Sequence, residues 1–92
     1  MHSIVFSKRA KRDLEDILEF ISLDNEYFWN KVTETIIVFI NHNLSYFPLL
    51  WKPFDNENLR EILEPTFRYR IIYRFSNDQI EIISIFKYRN SI

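Results

Sequence analysis

Arg68-Tyr69-Arg70-Ile71-Ile72-Tyr73-Arg74-Phe75-Ser76-Asn77-Asp78-Gln79-Ile80-Glu81-Ile82-Ile83-Ser84-Ile85-Phe86-Lys87-Tyr88-Arg89 has the period and punctuation of two strands closed on one turn. In the first run Tyr69, Ile71, Tyr73 and Phe75 alternate with Arg68, Arg70, Ile72 and Arg74, so one face is apolar and the other mostly cationic. Asn77-Asp78 is the turn, because Asn and Asp tolerate the positive φ that a two-residue hairpin loop requires. A flush register from that turn pairs Phe75 with Ile80, Tyr73 with Ile82, Ile71 with Ser84 and Tyr69 with Phe86 on the core face. Ser84 is the only polar residue in that set. The wet face then sets Arg74 against Glu81 and Arg68 against Lys87, whereas a three-residue loop would mix the faces. Arg68, Arg70, Lys87 and Arg89 are thereby predicted to share one open sheet face. By the same parity Tyr88 turns to the core side with Phe86.

Leu59-Arg60-Glu61-Ile62-Leu63-Glu64 reads as a third strand whose faces the pattern leaves ambiguous, and His2-Ser3-Ile4-Val5-Phe6 as a short first strand. Between them the period becomes helical. Ala10, Leu14, Ile17, Leu18 and Ile21 recur at helical spacing after Ser7, a candidate N-cap. Asp24-Asn25 reads as a turn. A second helix follows, with Phe28, Val32, Ile36, Phe39, Ile40 and Phe47 on one stripe and His42 near its end; Pro48 and Pro53 close it. The very short connection predicts an antiparallel helical hairpin. The expected fold is α+β in the order β-α-α-β-β-β, an antiparallel sheet with the N-terminal hairpin on one face, as a single domain over residues 1–92.

The chain has 92 residues, 47% hydrophobic and 17% aromatic, a composition that can support a folded core without staples. It has no glycine, which excludes phosphate-cradling glycine loops and the nucleophile elbow. It has no cysteine, which excludes thiol nucleophiles, disulfides and Cys-based zinc sites. His2 and His42 are too few to suggest a metal centre, so neither a metal nor a cofactor is expected. The apolar run at Ile36–Ile40 falls far short of the roughly 20 residues of a membrane helix. The early cations are unlike a signal peptide. A cytoplasmic protein with no membrane partner is the expectation.

The net charge of −1 is unevenly spread: +4 over residues 1–12, −8 over 13–66 and +3 over 67–92. The cations Lys8, Arg9, Lys11 and Arg12 stand at the start of the first helix, where they oppose its dipole. Such basic regions suit an acidic or anionic partner, or a solvated face.

Phe6-Ser7 with Lys8–Ile17, Leu59-Arg60-Glu61-Ile62, Tyr69–Arg74 and Ile85-Phe86-Lys87-Tyr88-Arg89 together resemble the RelE/ParE superfamily of toxins of type II toxin–antitoxin, or plasmid-stabilisation, systems. The resemblance spans nearly the whole chain. It implies one of two activities. RelE-like members cut messenger RNA in the ribosome by driving a 2′-hydroxyl onto the adjacent phosphate; ParE-like members inhibit DNA gyrase. For the first, the resemblance places Arg70 and Arg89 as phosphate-contacting arginines, with Lys87 as third member of the catalytic set. For either, Arg68, Arg70, Lys87, Tyr88 and Arg89 are the expected target- or nucleic-acid-binding residues. The departures favour the ParE-like branch. Glu61 and Leu63 stand where RelE has lysines, Lys87 stands where many relatives have histidine, and only three residues follow Arg89, where RelE carries a tyrosine on a further helix. Lys87 and Tyr88 have ordinary pKa values near 10.4 and 10, poorly suited to a base at neutral pH. The expected function is a gyrase-inhibiting toxin neutralised by a cognate antitoxin. A ribosome-dependent endoribonuclease and an antitoxin-binding homologue without toxicity are the alternatives. Among Phe20, Trp29, Trp51 and Phe54, the loop aromatics Trp51 and Phe54 are the expected antitoxin contacts.

Overall fold

The computed structural model describes residues 2–22, 26–49, 51–54 and 58–87. Its elements are β1 (Ser3–Phe6), α1 (Lys8–Ser22), α2 (Glu26–Leu44), β2 (Lys52–Phe54), β3 (Leu59–Glu64), β4 (Tyr69–Ser76) and β5 (Gln79–Lys87). They form one five-stranded sheet in the order β1-β5-β4-β3-β2. The α+β architecture agrees with the sequence reading, with one added strand and one correction to the expected antiparallel sheet. The segment around Pro53 forms an extra edge strand, β2, antiparallel to β3; proline is tolerated there because one side of an edge strand needs no donor. The sheet is mixed, because β1 runs parallel to β5, from Ser3↔Gln79 to Phe6↔Ile82.

Ser7 caps α1 as expected. Its Oγ accepts from Ala10 N at 3.0 Å and donates to the Ile83 carbonyl at 2.9 Å, so one hydroxyl both starts the helix and ties it to β5. In α2, Val32, Ile36, Ile40 and Leu44 repeat every fourth residue and are all at most 1% exposed. They pack with Ala10 against Ile62, Tyr69, Ile71, Tyr73, Ile80, Ile82 and Ile85. This resolves β3: Ile62 enters the core, and Leu59, Glu61 and Leu63 lie on the opposite, helix-free face. Phe47 is a correction. The helix ends at Leu44, so helical spacing no longer applies three residues later and Phe47 is exposed. Phe28, at the first turn of α2, is 42% exposed with its ring edge-on to Phe67. The expected turn at Asp24-Asn25 lies outside the described residues.

Four non-glycine residues take positive φ: Asn58, Arg68, Asn77 and Asp78. Asn77 and Asp78, at 51° and 62°, close the β4–β5 hairpin as the sequence predicts. Tyr73, fully buried, donates its hydroxyl to the Pro48 carbonyl at 2.6 Å and fastens the segment after α2 to the sheet. Burial pushes the Tyr73 phenol up to about 12, with Arg60 pulling weakly the other way. The folded state therefore holds this proton more tightly than the unfolded chain does. Its contribution is complete below pH about 10 and lost as pH rises towards about 12, amounting to roughly 2–3 kcal/mol. Urea unfolding across that range should show parent stability falling with pH, and Tyr73→Phe should give a flatter curve. Equal slopes would contradict the assignment.

Candidate functional site: the helix-free face of the sheet

The β4–β5 ladder starts in the predicted register, with Phe75↔Ile80, Arg74↔Glu81 and Tyr73↔Ile82, and then shifts. Ile83 is an extra residue on β5, a β-bulge, so that Ser84 faces Ile72, Ile85 faces Ile71, Phe86 faces Arg70 and Lys87 faces Tyr69. The physical reason is visible in Ser84. Flush pairing would bury its hydroxyl against Ile71 and turn Ile85 outward. With the bulge Ile85 enters the core, a gain on the order of 2 kcal/mol. Ser84 donates instead to Asp13 Oδ2 of α1 at 2.8 Å. The Ile85 amide donates to the same oxygen at 3.0 Å.

This corrects the predicted sharing of one face. Every residue of β5 past Ile83 is on the side opposite to the flush expectation. Lys87 stands on the helix-covered side, its ammonium 5.7 Å from the Tyr69 ring centre. Phe86, predicted to face the core, is on the helix-free face and 39% exposed. Arg68 is not a strand residue but the last position of the β3–β4 turn, at φ 67°. Tyr88 and Arg89 lie outside the described residues.

Arg70 remains on the helix-free face. Its guanidinium lies over the Phe86 ring at 5.6 Å, and its Nε is 3.3 Å from Glu61 Oε2. That nitrogen is buried but not aligned for a hydrogen bond, so the contact is one of charge, with Glu61 itself only 10% exposed. Arg74 faces Glu81 at 3.9 Å. Between them Leu59, Ile72 and Ser84 are buried. The face is a partly apolar plate on which both arginines of β4 stand next to carboxylates. Among the described residues no group of three or more His, Asp or Glu could hold a metal ion. No helix among them is long and apolar enough to cross a membrane.

Behind this face, Glu64 is fully buried and closes the β3–β4 turn, accepting from Thr66 N at 2.6 Å and Phe67 N at 3.0 Å. It also raises the pKa of Tyr69, after the larger effect of burial. Trp51 is partly buried against the core, with its indole N–H directed at the Asn43 carbonyl at 3.5 Å. The Phe54 side chain, like those of Phe20 and Trp29, lies outside the described residues. Tyr46, Phe47 and Leu49, just before Trp51, are each more than half exposed. Sequence reasoning passed over this cluster because Phe47 fitted an extrapolated helical stripe; Leu49 beside Pro48 was the available signal.

The family model for the ParE toxin of the type II toxin–antitoxin system parDE matches residues 4–91. The chain belongs to the ParE toxin family. Solved structures agree in fold. The chromosomal ParDE toxin–antitoxin system of P. aeruginosa aligns with TM-score 0.80 at 16% identity, over 97% of this chain and 98% of that one. The isolated E. coli RelE toxin aligns at 0.63 and 14% identity, over 99% and 88%. The RelBE2 toxin–antitoxin complex of Mycobacterium tuberculosis aligns at 0.63 and 22% identity, over 95% and 91%. Comparison with curated proteins gives no match. This ParE-family chain is thus a type II toxin of the ParE/RelE superfamily.

Proposed function

We propose that this toxin arrests growth by binding DNA gyrase rather than by cutting RNA, and that a cognate antitoxin holds it inactive. The observation that carries the reading is the separation of Arg70 from Lys87. Transfer of a 2′-hydroxyl onto a phosphate needs positive charge on the developing phosphorane together with a base and an acid within reach of one site. Arg70 and Lys87 stand on opposite faces of the sheet, and the Arg70 charge is met by Glu61 at 3.3 Å. A phosphate approaching Arg70 would also approach that carboxylate. The same arrangement suits a protein target, since an aromatic ring, a held guanidinium and a buried apolar centre are the usual anchors of a protein contact. The antitoxin reading draws on the relatives, whose solved forms include toxin–antitoxin complexes. Trp51, with the exposed Tyr46, Phe47 and Leu49 beside it, and Phe54 are proposed as its contacts.

Induction of the chain without antitoxin should cause filamentation and gyrase-linked DNA breaks while translation continues. Rapid loss of translation, with messages cut at the vacant decoding site and cutting lost in Arg70→Ala, would support the endoribonuclease instead. No growth arrest at any level of induction would leave a homologue that only binds antitoxin.

A further inference from the structure

The outer face of α1 has a charge order that the proposed function does not use. Lys8, Lys11, Arg12, Glu15, Asp16 and Glu19 are all exposed. At 100° per residue they fall within one arc of about 140°, opposite Ala10 and Ile17. The first half of this stripe is basic and the second half acidic. That order opposes the helix dipole and sets cations N-terminal to acids, the poorer orientation for i,i+4 pairs. Among the described residues, ion pairs join His2 to Asp78, Arg9 to Asp13, Arg70 to Glu61 and Arg74 to Glu81; Lys8, Lys11, Arg12, Glu15 and Asp16 take part in none of these four.

We infer that this face of α1 pairs with α1 of a second copy of the chain, antiparallel about a two-fold axis. An axis passing between Asp13 and Leu14 sets Arg12 against Glu15 and Lys8 against Glu19 of the other copy near the seam, with Lys11 beside that copy's Glu15 and Asp16 beside its Arg12 at the flanks, and each pair occurs twice. Every exposed charge on the stripe then meets its opposite. Isologous contacts require self-complementarity of this kind. A nucleic acid fits less well, because a strand on Lys11 and Arg12 meets Glu15 and Asp16 within about one helical turn of 5.4 Å, inside the Debye length of about 8 Å. Apolar burial is available alongside the stripe. A groove between α1 and the free edge of β1 is lined by Ile4, Val5, Leu14, Leu18 and Ile37, with Lys11 and Glu15 on its rim. This adds area towards the roughly 1,200 Å² that a specific contact buries.

Sedimentation velocity on the purified full-length chain tests the inference. The parent should associate reversibly to a dimer with a Kd on the order of micromolar, and more weakly as salt is raised. Lys11→Glu with Arg12→Glu, and separately Glu15→Lys with Asp16→Lys, should each weaken association at least tenfold. Mixing these two variants should restore a heterodimer. The fourfold exchange, which keeps the net charge and reverses the order of charge, should dimerise like the parent and provides a check if one double variant folds poorly. A parent that stays monomeric at low salt overturns the inference. So do double variants that associate as the parent does, or a mixture that associates no better than its parts.

Discussion

Replacing Glu64 by alanine is expected to destabilise the protein by about 3 kcal/mol and to lower Tm by roughly 15 °C, the scaling for a domain of this size. Glu64 is fully buried, and its two oxygens accept from Thr66 N and Phe67 N. Each bond is charge-assisted, and their loss strands two turn amides. The turn they hold also keeps Arg68 at φ 67°, a left-handed conformation that costs a non-glycine residue roughly 1–2 kcal/mol. Without the carboxylate, the turn loses the two bonds that offset that cost. Glu64→Gln, which keeps one acceptor oxygen, should lose about half as much. Adding Arg68→Gly to Glu64→Ala should recover about 1 kcal/mol. Thermal melts of the three variants check the assignment; a Glu64→Ala variant melting with the parent would contradict it.

Asp13→Ala is expected to cost about 2–3 kcal/mol, with the damage confined first to the end of β5. The strand loses its β1 neighbour after Ile82, so its outer edge is left to α1. Asp13 Oδ2 takes both the Ser84 hydroxyl and the Ile85 amide there. Its removal leaves a buried N–H unpaired and releases the bulge. Hydrogen exchange should show the Ile85 amide opening about thirtyfold more readily, the equivalent of 2 kcal/mol, while α2 stays protected. Because Phe86 and Lys87 follow directly, toxicity should fall before the fold does. Uniform loss of protection across the sheet would instead mark Asp13 as a general core contact.

Much of this molecule is legible in its sequence because its patterns are local. The helices follow from Ser7 and from the helical spacing of Ala10, Leu14 and Ile17 and of Val32, Ile36 and Ile40. The last hairpin follows from Asn77-Asp78 in place of a glycine. What escaped depends on tertiary context. The parallel placement of β1 leaves no periodic mark. The bulge at Ile83 is set by a competition between Ser84 and Ile85 for the core, settled by an aspartate on a helix some seventy residues earlier. Its one trace was Ser84, the only polar residue on the predicted core face. That single slip moved Lys87 away from Arg70 and brought Phe86 beside it. The structure thus keeps Arg70 on the face the sequence predicts for it and moves Lys87 and Phe86 to the faces opposite to those predicted.

The sidedness of Arg70 and Lys87 underlies the central claim, and a supercoiling assay tests that claim most directly. Purified chain added to DNA gyrase with relaxed plasmid and ATP should block the appearance of supercoiled product, with inhibition reversed by the antitoxin. Supercoiling that proceeds unhindered at saturating toxin, while the same preparation cuts ribosome-bound messages, would contradict the account.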